Sequence, residues 1–121
     1  MKEIMKKQQK RINDALIKAL EDLKALDIQV LDVRNLTTIT DTMIIASGRS
    51  DRQVRALADK LTETAKAMGI PPLGVEGEQK GDWILVDMGD VVAHLMHPSA
   101  RAYYQLEKLW SPAESRIISS P

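Results

Sequence analysis

Residues 42–69 read "TMIIASGRSDRQVRALADKLTETAKAMG", and this stretch decides the fold class. Its first seven residues hold the apolar run Met43 to Ala46 between Thr42 and Ser47, continuous enough for a strand buried on both faces. From Ser50 the period changes. Val54, Leu57, Ala58, Leu61, Ala65 and Met68 fall at helical spacing, so one face of a helix over 50–69 is apolar. Ser50 is placed to cap that helix, and Gln53, three residues on, completes a capping box. Gly69 suits the position just past its end, and Pro71-Pro72 prevent continuation. A buried strand, a glycine turn and an amphipathic helix in succession predict an α/β fold.

Upstream, residues 8–26 carry Ile12, Leu16, Ala19, Leu20 and Leu23 at helical spacing, and "IQVLDV" (28–33) is a β-branched strand candidate. Downstream, a short strand is expected at 73–76, followed by the polar turn "EGEQKGD". "WILVD" and "VVAHLM" then flank "MGD" as a hairpin, with Gly89 free to take a positive φ. A last helix is predicted from Pro98 to Trp110, with Ala102, Tyr103, Leu106, Leu109 and Trp110 on its apolar side. The element order is αββαβββα, a single mixed β-sheet flanked by helices. At 121 residues the chain suits one domain and not two. Residues 1–10 read as a flexible basic N-terminus, 11–110 as the domain and 111–121 as a flexible tail without an apolar period.

Only four aromatic residues occur (Trp83, Tyr103, Tyr104 and Trp110), so Ile, Leu, Val, Met and Ala must fill the core. There is no cysteine, which excludes disulfides, thiolate catalysis and zinc ribbons. No apolar run approaches the ~18–20 residues of a membrane span. No apolar stretch with a cleavage site follows the basic N-terminus. A cytoplasmic protein is expected. Net charge is zero but unevenly placed. Residues 1–12 hold Lys2, Lys6, Lys7, Lys10 and Arg11 against Glu3, a balance of +4; residues 75–90 hold Glu76, Glu78, Asp82, Asp87 and Asp90 against Lys80, a balance of −4. A neutral chain without a broad basic surface is a poor non-specific nucleic-acid binder, and no DNA partner is expected. The acidic stretch would attract a basic protein.

The stretch "DWILVDMGDVVAHLMH" (82–97) crowds Asp82, Asp87, Asp90, His94 and His97 together. Strand alternation separates them. Trp83, Leu85 and Asp87 face away from Ile84 and Val86, and His94 and His97 face opposite ways on a regular strand. That argues against a shared metal. Asp87 and Asp90 bracket a tight turn, where aspartate serves the backbone. The "ASGRSDRQVR" turn (46–55) has a helix start with Arg49, Arg52 and Arg55 nearby, a place where phosphate can bind. It lacks the glycine patterns of nucleotide loops, and a capped helix with exposed arginines accounts for it. No metal, no cofactor and no catalytic group is assigned. Trp83 among acids, with Trp110 and Tyr104, could anchor an interface, although a tryptophan as often serves a core.

The runs "DTMIIASGRSDRQVRALAD" and "PPLGVEGEQKGDWILVDMGDVVAHLMHPSARAYYQLEKLW", with "LDIQVLDV" more loosely, resemble the Iojap family, the ribosomal silencing factors (RsfS). The likeness covers about residues 12–110. Departures are small: Ala93 replaces a bulkier strand residue, and Met96 stands where Phe or Met is found. The resemblance implies a nucleotidyltransferase-like fold without catalysis. It implies a bacterial factor that docks on the large ribosomal subunit through large-subunit ribosomal protein fourteen, sterically blocks joining of the small subunit and represses translation when nutrients are scarce. It also implies a homodimer as one form of the free protein. By motif, the partner-binding residues are Trp83, Asp87, Met88 and Asp90, with Glu76 and Tyr104 as weaker choices. The alternative is a metal-dependent nucleotidyltransferase-like enzyme using Gly48, Asp87 and Asp90. Magnesium and nucleotide binding lost in Asp87→Ala would separate the two.

Overall fold

The computed structural model describes residues 2–110 and 114–117. Helix α1 (Lys2–Asp22) leads into strand β1 (Leu26–Asp32), β2 (Thr42–Ser47) and helix α2 (Asp51–Ala67). Strands β3 (Gly74–Glu76), β4 (Trp83–Asp87) and β5 (Val91–Met96) follow. Two short helices, α3 (Pro98–Tyr104) and α4 (Leu106–Leu109), and strand β6 (Glu114–Ile117) complete it. The expected order αββαβββα runs from α1 to α3, and α4 and β6 are added to it. The six strands form one mixed sheet in the order β3-β4-β5-β2-β1-β6. β2 and β5 pair in parallel; the other neighbours are antiparallel.

The central strand β2 is buried along its whole length, as its unbroken apolar run predicts. Alternation sends its side chains to two cores. Ile44 and Ala46 join Leu16, Leu20, Leu57, Leu61, Ile84, Val86 and Leu95 under α1 and α2. Met43 and Ile45 join Leu31, Val33, Met96, Ala100 and Leu106 on the opposite side, under α3 and α4. The first core is the larger. Leu61 at its centre is fully buried, and its replacement by Ala should cost about 2–5 kcal/mol.

Helix α2 starts as its sequence prescribes. Ser50 Oγ accepts from the Gln53 N–H (3.1 Å), while Gln53 Oε1 accepts from the Arg49 N–H (2.7 Å). Gln53 Nε2 donates back to the carbonyls of Leu23 and Lys24, so one side chain caps α2 and ties it to the end of α1. The turn before it needs Gly48: a Cβ there would lie 2.9 Å from the Val54 nitrogen.

Three expectations are corrected. The N-terminal segment is helical from Lys2, not an irregular lead; residues 2–10 contain no Gly or Pro, so nothing stops the helix from extending back. The last helix is broken. Gln105 takes a left-handed conformation (φ 50°, ψ 52°), which turns the chain so that Leu106 enters the second core. As a result Ala102, Tyr103 and Leu109 are exposed, although they were expected on the apolar side. Trp110 packs against the second core. Finally, residues 114–117 are not a patternless tail but the edge strand β6, paired from Asp32↔Glu114 to Gln29↔Ile117. The free edge of β1 supplies the partners that the short sequence could not advertise. Residues 111–113 and 118–121 lie outside the described residues.

Candidate docking face

Helices α1 and α2 cover one side of the sheet. Among the described residues, α3 and α4 cover only the end of the other side near Met96 and leave its β3-β4 edge open. Register decides which residues occupy it. Trp83 pairs with Met96, Leu85 with His94 and Asp87 with Val92, while Glu76 pairs with Leu85. Directly paired residues share a face. Glu76, Trp83, Leu85, Asp87, Val92 and His94 therefore lie on one side of the sheet. Trp83, Leu85 and Asp87 are each half-buried, and Glu76 is exposed.

Trp83 sits at the rim of the α3–α4 cover. Its indole N–H donates to His94 Nδ1 at 2.9 Å, and Tyr104 tilts against it at 4.7 Å between ring centroids. Tyr103 meets Tyr104 edge-on at 5.0 Å. Tyr103 and Tyr104 are 81% and 49% exposed, so the aromatic group runs from the sheet to the surface. An indole only donates, so Nδ1 of His94 must be the unprotonated nitrogen. Burial holds the His94 pKa down at about 4, which keeps the ring neutral at neutral pH and the acceptor available. As alternation predicts, Trp83 lies on the side of the sheet opposite Ile84 and Val86. It also packs against the second core, which alternation alone does not show.

The other candidates separate at the β4–β5 turn. Asp87 Oδ1 accepts from the Gly89 N–H (2.9 Å), and the Met88 N–H donates to Val91 O (2.9 Å). Gly89 has φ 85°, the conformation that a II′-type hairpin needs at its first central position. Asp90 is exposed, and its carbonyl accepts from the N–H groups of Asp41 and Thr42. Met88 is a correction. It follows Ile84 and Val86 into the first core and is only 7% exposed, so it offers a partner almost no surface.

Several roles are not marked in the sequence. His94 as the indole's acceptor required the β4–β5 register. Arg101 Nη1 donates to Ser47 Oγ (3.0 Å), and its Nε pairs with Glu107. These bonds tie α3 and α4 to the end of β2 and so fix Tyr104 over Trp83. Leu73 and Ile39, 77% and 83% exposed, flank the turn end of the sheet. The Leu73 N–H donates to Asp87 O (2.7 Å).

The groups named for an enzyme do not meet. Gly48 follows the last residue of β2, whereas Asp90 bonds to Thr42 at its first. A six-residue strand at ~3.3 Å per residue keeps them roughly 20 Å apart. Two of the three arginines near the start of α2 are engaged elsewhere: Arg49 donates to Lys24 O, and Arg55 to Glu78 O and Gln79 O. Among the described residues, no three His, Asp or Glu gather as a metal site, and no helix is long and apolar enough to cross a membrane.

Comparison with known proteins identifies the family. Residues 6–120 match the family described as "Ribosomal silencing factor during starvation". The ribosomal silencing factor RsfS of Chromobacterium violaceum is 48% identical over 99 residues, 82% of this chain and 81% of that one. The factor of the same name from Haemophilus influenzae is 48% identical over 96 residues, 79% of this chain and 94% of that one. A crystal structure of a Chromobacterium violaceum protein superimposes with a TM-score of 0.83 at 42% identity, covering 92% of both chains. The chain belongs to the ribosomal silencing factor family, whose members regulate translation in association with the ribosome.

Proposed function

We propose that this protein acts by occupation and not by chemistry. It docks the open β3-β4 side of its sheet on the large ribosomal subunit, through large-subunit ribosomal protein fourteen, and sterically blocks association with the small subunit. Translation is thereby repressed under nutrient limitation. The observation that carries this reading is the Trp83–Tyr104 aromatic pair at one end of a sheet face that carries Glu76 and Asp87 farther along, with Asp90 on the exposed turn at its other end. An aromatic anchor supplies binding free energy, and an acidic surround steers a basic ribosomal protein and sets its register. Exclusion needs no cofactor and no catalytic residue. The protein works in the cytoplasm, and a homodimer is one form of the free chain.

Co-sedimentation with separated subunits tests this. The protein should pellet with large subunits, ignore small ones and prevent their reassociation at saturating concentration. Equal binding to both subunits, or unimpaired joining, would overturn it.

A further inference from the structure

Helix α1 is longer than the sheet it covers. Near one end of the sheet, Asn13 Nδ2 donates to Thr42 Oγ1 (3.5 Å), and Thr42 is held by the carbonyl of the Asp90 turn. At the other end, the carbonyls of Leu23 and Lys24 accept from Gln53 at the start of α2. Residues 13–23 thus span the sheet. Ile12 is the first described side chain of α1 to pack on the core. Residues 2–11 continue as helix and, at 1.5 Å per residue, project about 15 Å past the Asp90 end.

This projecting arm contains Lys2, Lys6, Lys7, Lys10 and Arg11 against the single acid Glu3. Lys7, Lys10 and Arg11 are exposed, and their spacing of three and four residues puts them on adjoining strips of the helix. Lys10 pairs with Asp14 (2.7 Å), but its side chain is 75% exposed, so solvent screening leaves that pair weak. The arm therefore rises, strongly positive, from the end of the molecule that carries the exposed Asp41 and Asp90. Two opposite charges at one end fit a surface that itself alternates, with a basic protein beside phosphate.

We infer that the projecting turns of α1 are a second contact, which grips the phosphate backbone of large-subunit RNA beside the docked ribosomal protein. The inference rests on the docking reading above and adds a partner to it. A few lysines alone bind RNA weakly, and the whole chain is neutral. Once the sheet face is docked, however, the arm meets RNA at high effective concentration, and a weak contact then adds to affinity without any change in the first.

The test is the variant Lys7→Glu, Lys10→Glu, Arg11→Glu, measured on whole large subunits and on isolated large-subunit ribosomal protein fourteen. On subunits, binding should weaken about tenfold or more near 50 mM salt, and the slope of log K against log salt should flatten by roughly 2–3. On the isolated protein, affinity should stay within about twofold. The neutral set Lys7→Gln, Lys10→Gln, Arg11→Gln keeps good helix formers and should give an intermediate loss, which separates charge from folding. Unchanged subunit binding and slope would overturn the arm and leave the docking reading intact. Equal loss on the isolated protein would overturn it too, because the arm would then touch protein. A wild-type chain that ignores large subunits would sink both.

Discussion

The indole N–H of Trp83 donates to Nδ1 of His94 across 2.9 Å, joining two strands of the sheet through one neutral imidazole. The bond requires His94 to remain unprotonated, and burial lowers its pKa from 6.5 to about 4. Unfolded, the ring titrates near its ordinary value. Between these two values the unfolded chain therefore binds more protons than the folded one, and stability must rise with pH. The stabilisation is fully present above about pH 6.5 and is lost as pH falls towards 4, amounting to about 2–4 kcal/mol. Asp32, whose pKa is held below 3.8 chiefly by its hydrogen bond with Arg34, stays ionised through that window and titrates below it. Urea midpoints at pH 7.5 and pH 5 should differ clearly in the wild type and much less in His94→Gln. Equal pH slopes in the two proteins would exclude His94 as the source.

Trp83 has two attachments, and its variants should show both. Trp83→Ala removes a ring that packs against the second core and against Tyr104. A loss of about 1.5–3 kcal/mol of stability is expected for a half-buried aromatic. Large-subunit binding should fall by roughly 2 kcal/mol more, the scale of an interface anchor. Trp83→Phe keeps a ring beside Tyr104 but leaves His94 Nδ1 without its donor. It should lose about 1–3 kcal/mol of stability while retaining most of the binding. Melting measured alongside sedimentation of the folded fraction decides the matter. Full binding by folded Trp83→Ala would make the residue purely structural.

How far the sequence shows this arrangement varies by residue. Strand β2 and helix α2 are legible because their signals are local: an unbroken apolar run, then Ser50 and Gln53 at capping distance. The side of the sheet chosen by Trp83 is legible from alternation. Its bond to His94 is not, because it joins residues eleven apart in the chain, and which residues face each other across the hairpin changes with a shift of one residue in register. The same alternation carries Met88 into the core with Ile84 and Val86, so packing alone accounts for an apolar residue at Met88. Gln105 breaks the last helix without a glycine or proline to mark it. Gly48 and Asp90 look like parts of one site until the parallel pairing of β2 with β5 places them at opposite ends.

Met88 and Asp90 are separated by one residue yet should respond in opposite ways. Met88→Ala opens a cavity in the first core and should cost about 2–5 kcal/mol of stability, with affinity unchanged in the protein that remains folded. Asp90→Lys lies on the exposed turn and should leave the melting temperature nearly unmoved. It should slow association with large subunits, and the difference from wild type should shrink as salt rises. Stopped-flow association at two ionic strengths, beside thermal melts, distinguishes them. A Met88→Ala variant that folds normally and binds poorly would return Met88 to the interface.

The C-terminal strand gives a prediction opposite to the one its sequence suggests. Residues 111–121 have no apolar period, and on that ground a chain ending at Trp110 should fold as well as the whole. In the fold, however, residues 114–117 pair with Gln29, Val30, Leu31 and Asp32, and Leu31 belongs to the second core. Deletion would unpair that ladder and leave β1 as a longer bare edge. Each lost intramolecular hydrogen bond contributes about 0.5–1.5 kcal/mol net, and water replaces part of it at an edge, so a total loss of roughly 1–3 kcal/mol is expected. A bare strand edge also invites pairing with another chain. The truncated protein should therefore melt lower and show concentration-dependent association in light scattering. The docking side lies at the opposite edge of the sheet, beyond β5 and β4, so its binding to large subunits should survive at temperatures where it is folded. A truncation at Trp110 that melts like the wild type and stays monodisperse would show that β6 contributes nothing to the sheet's stability.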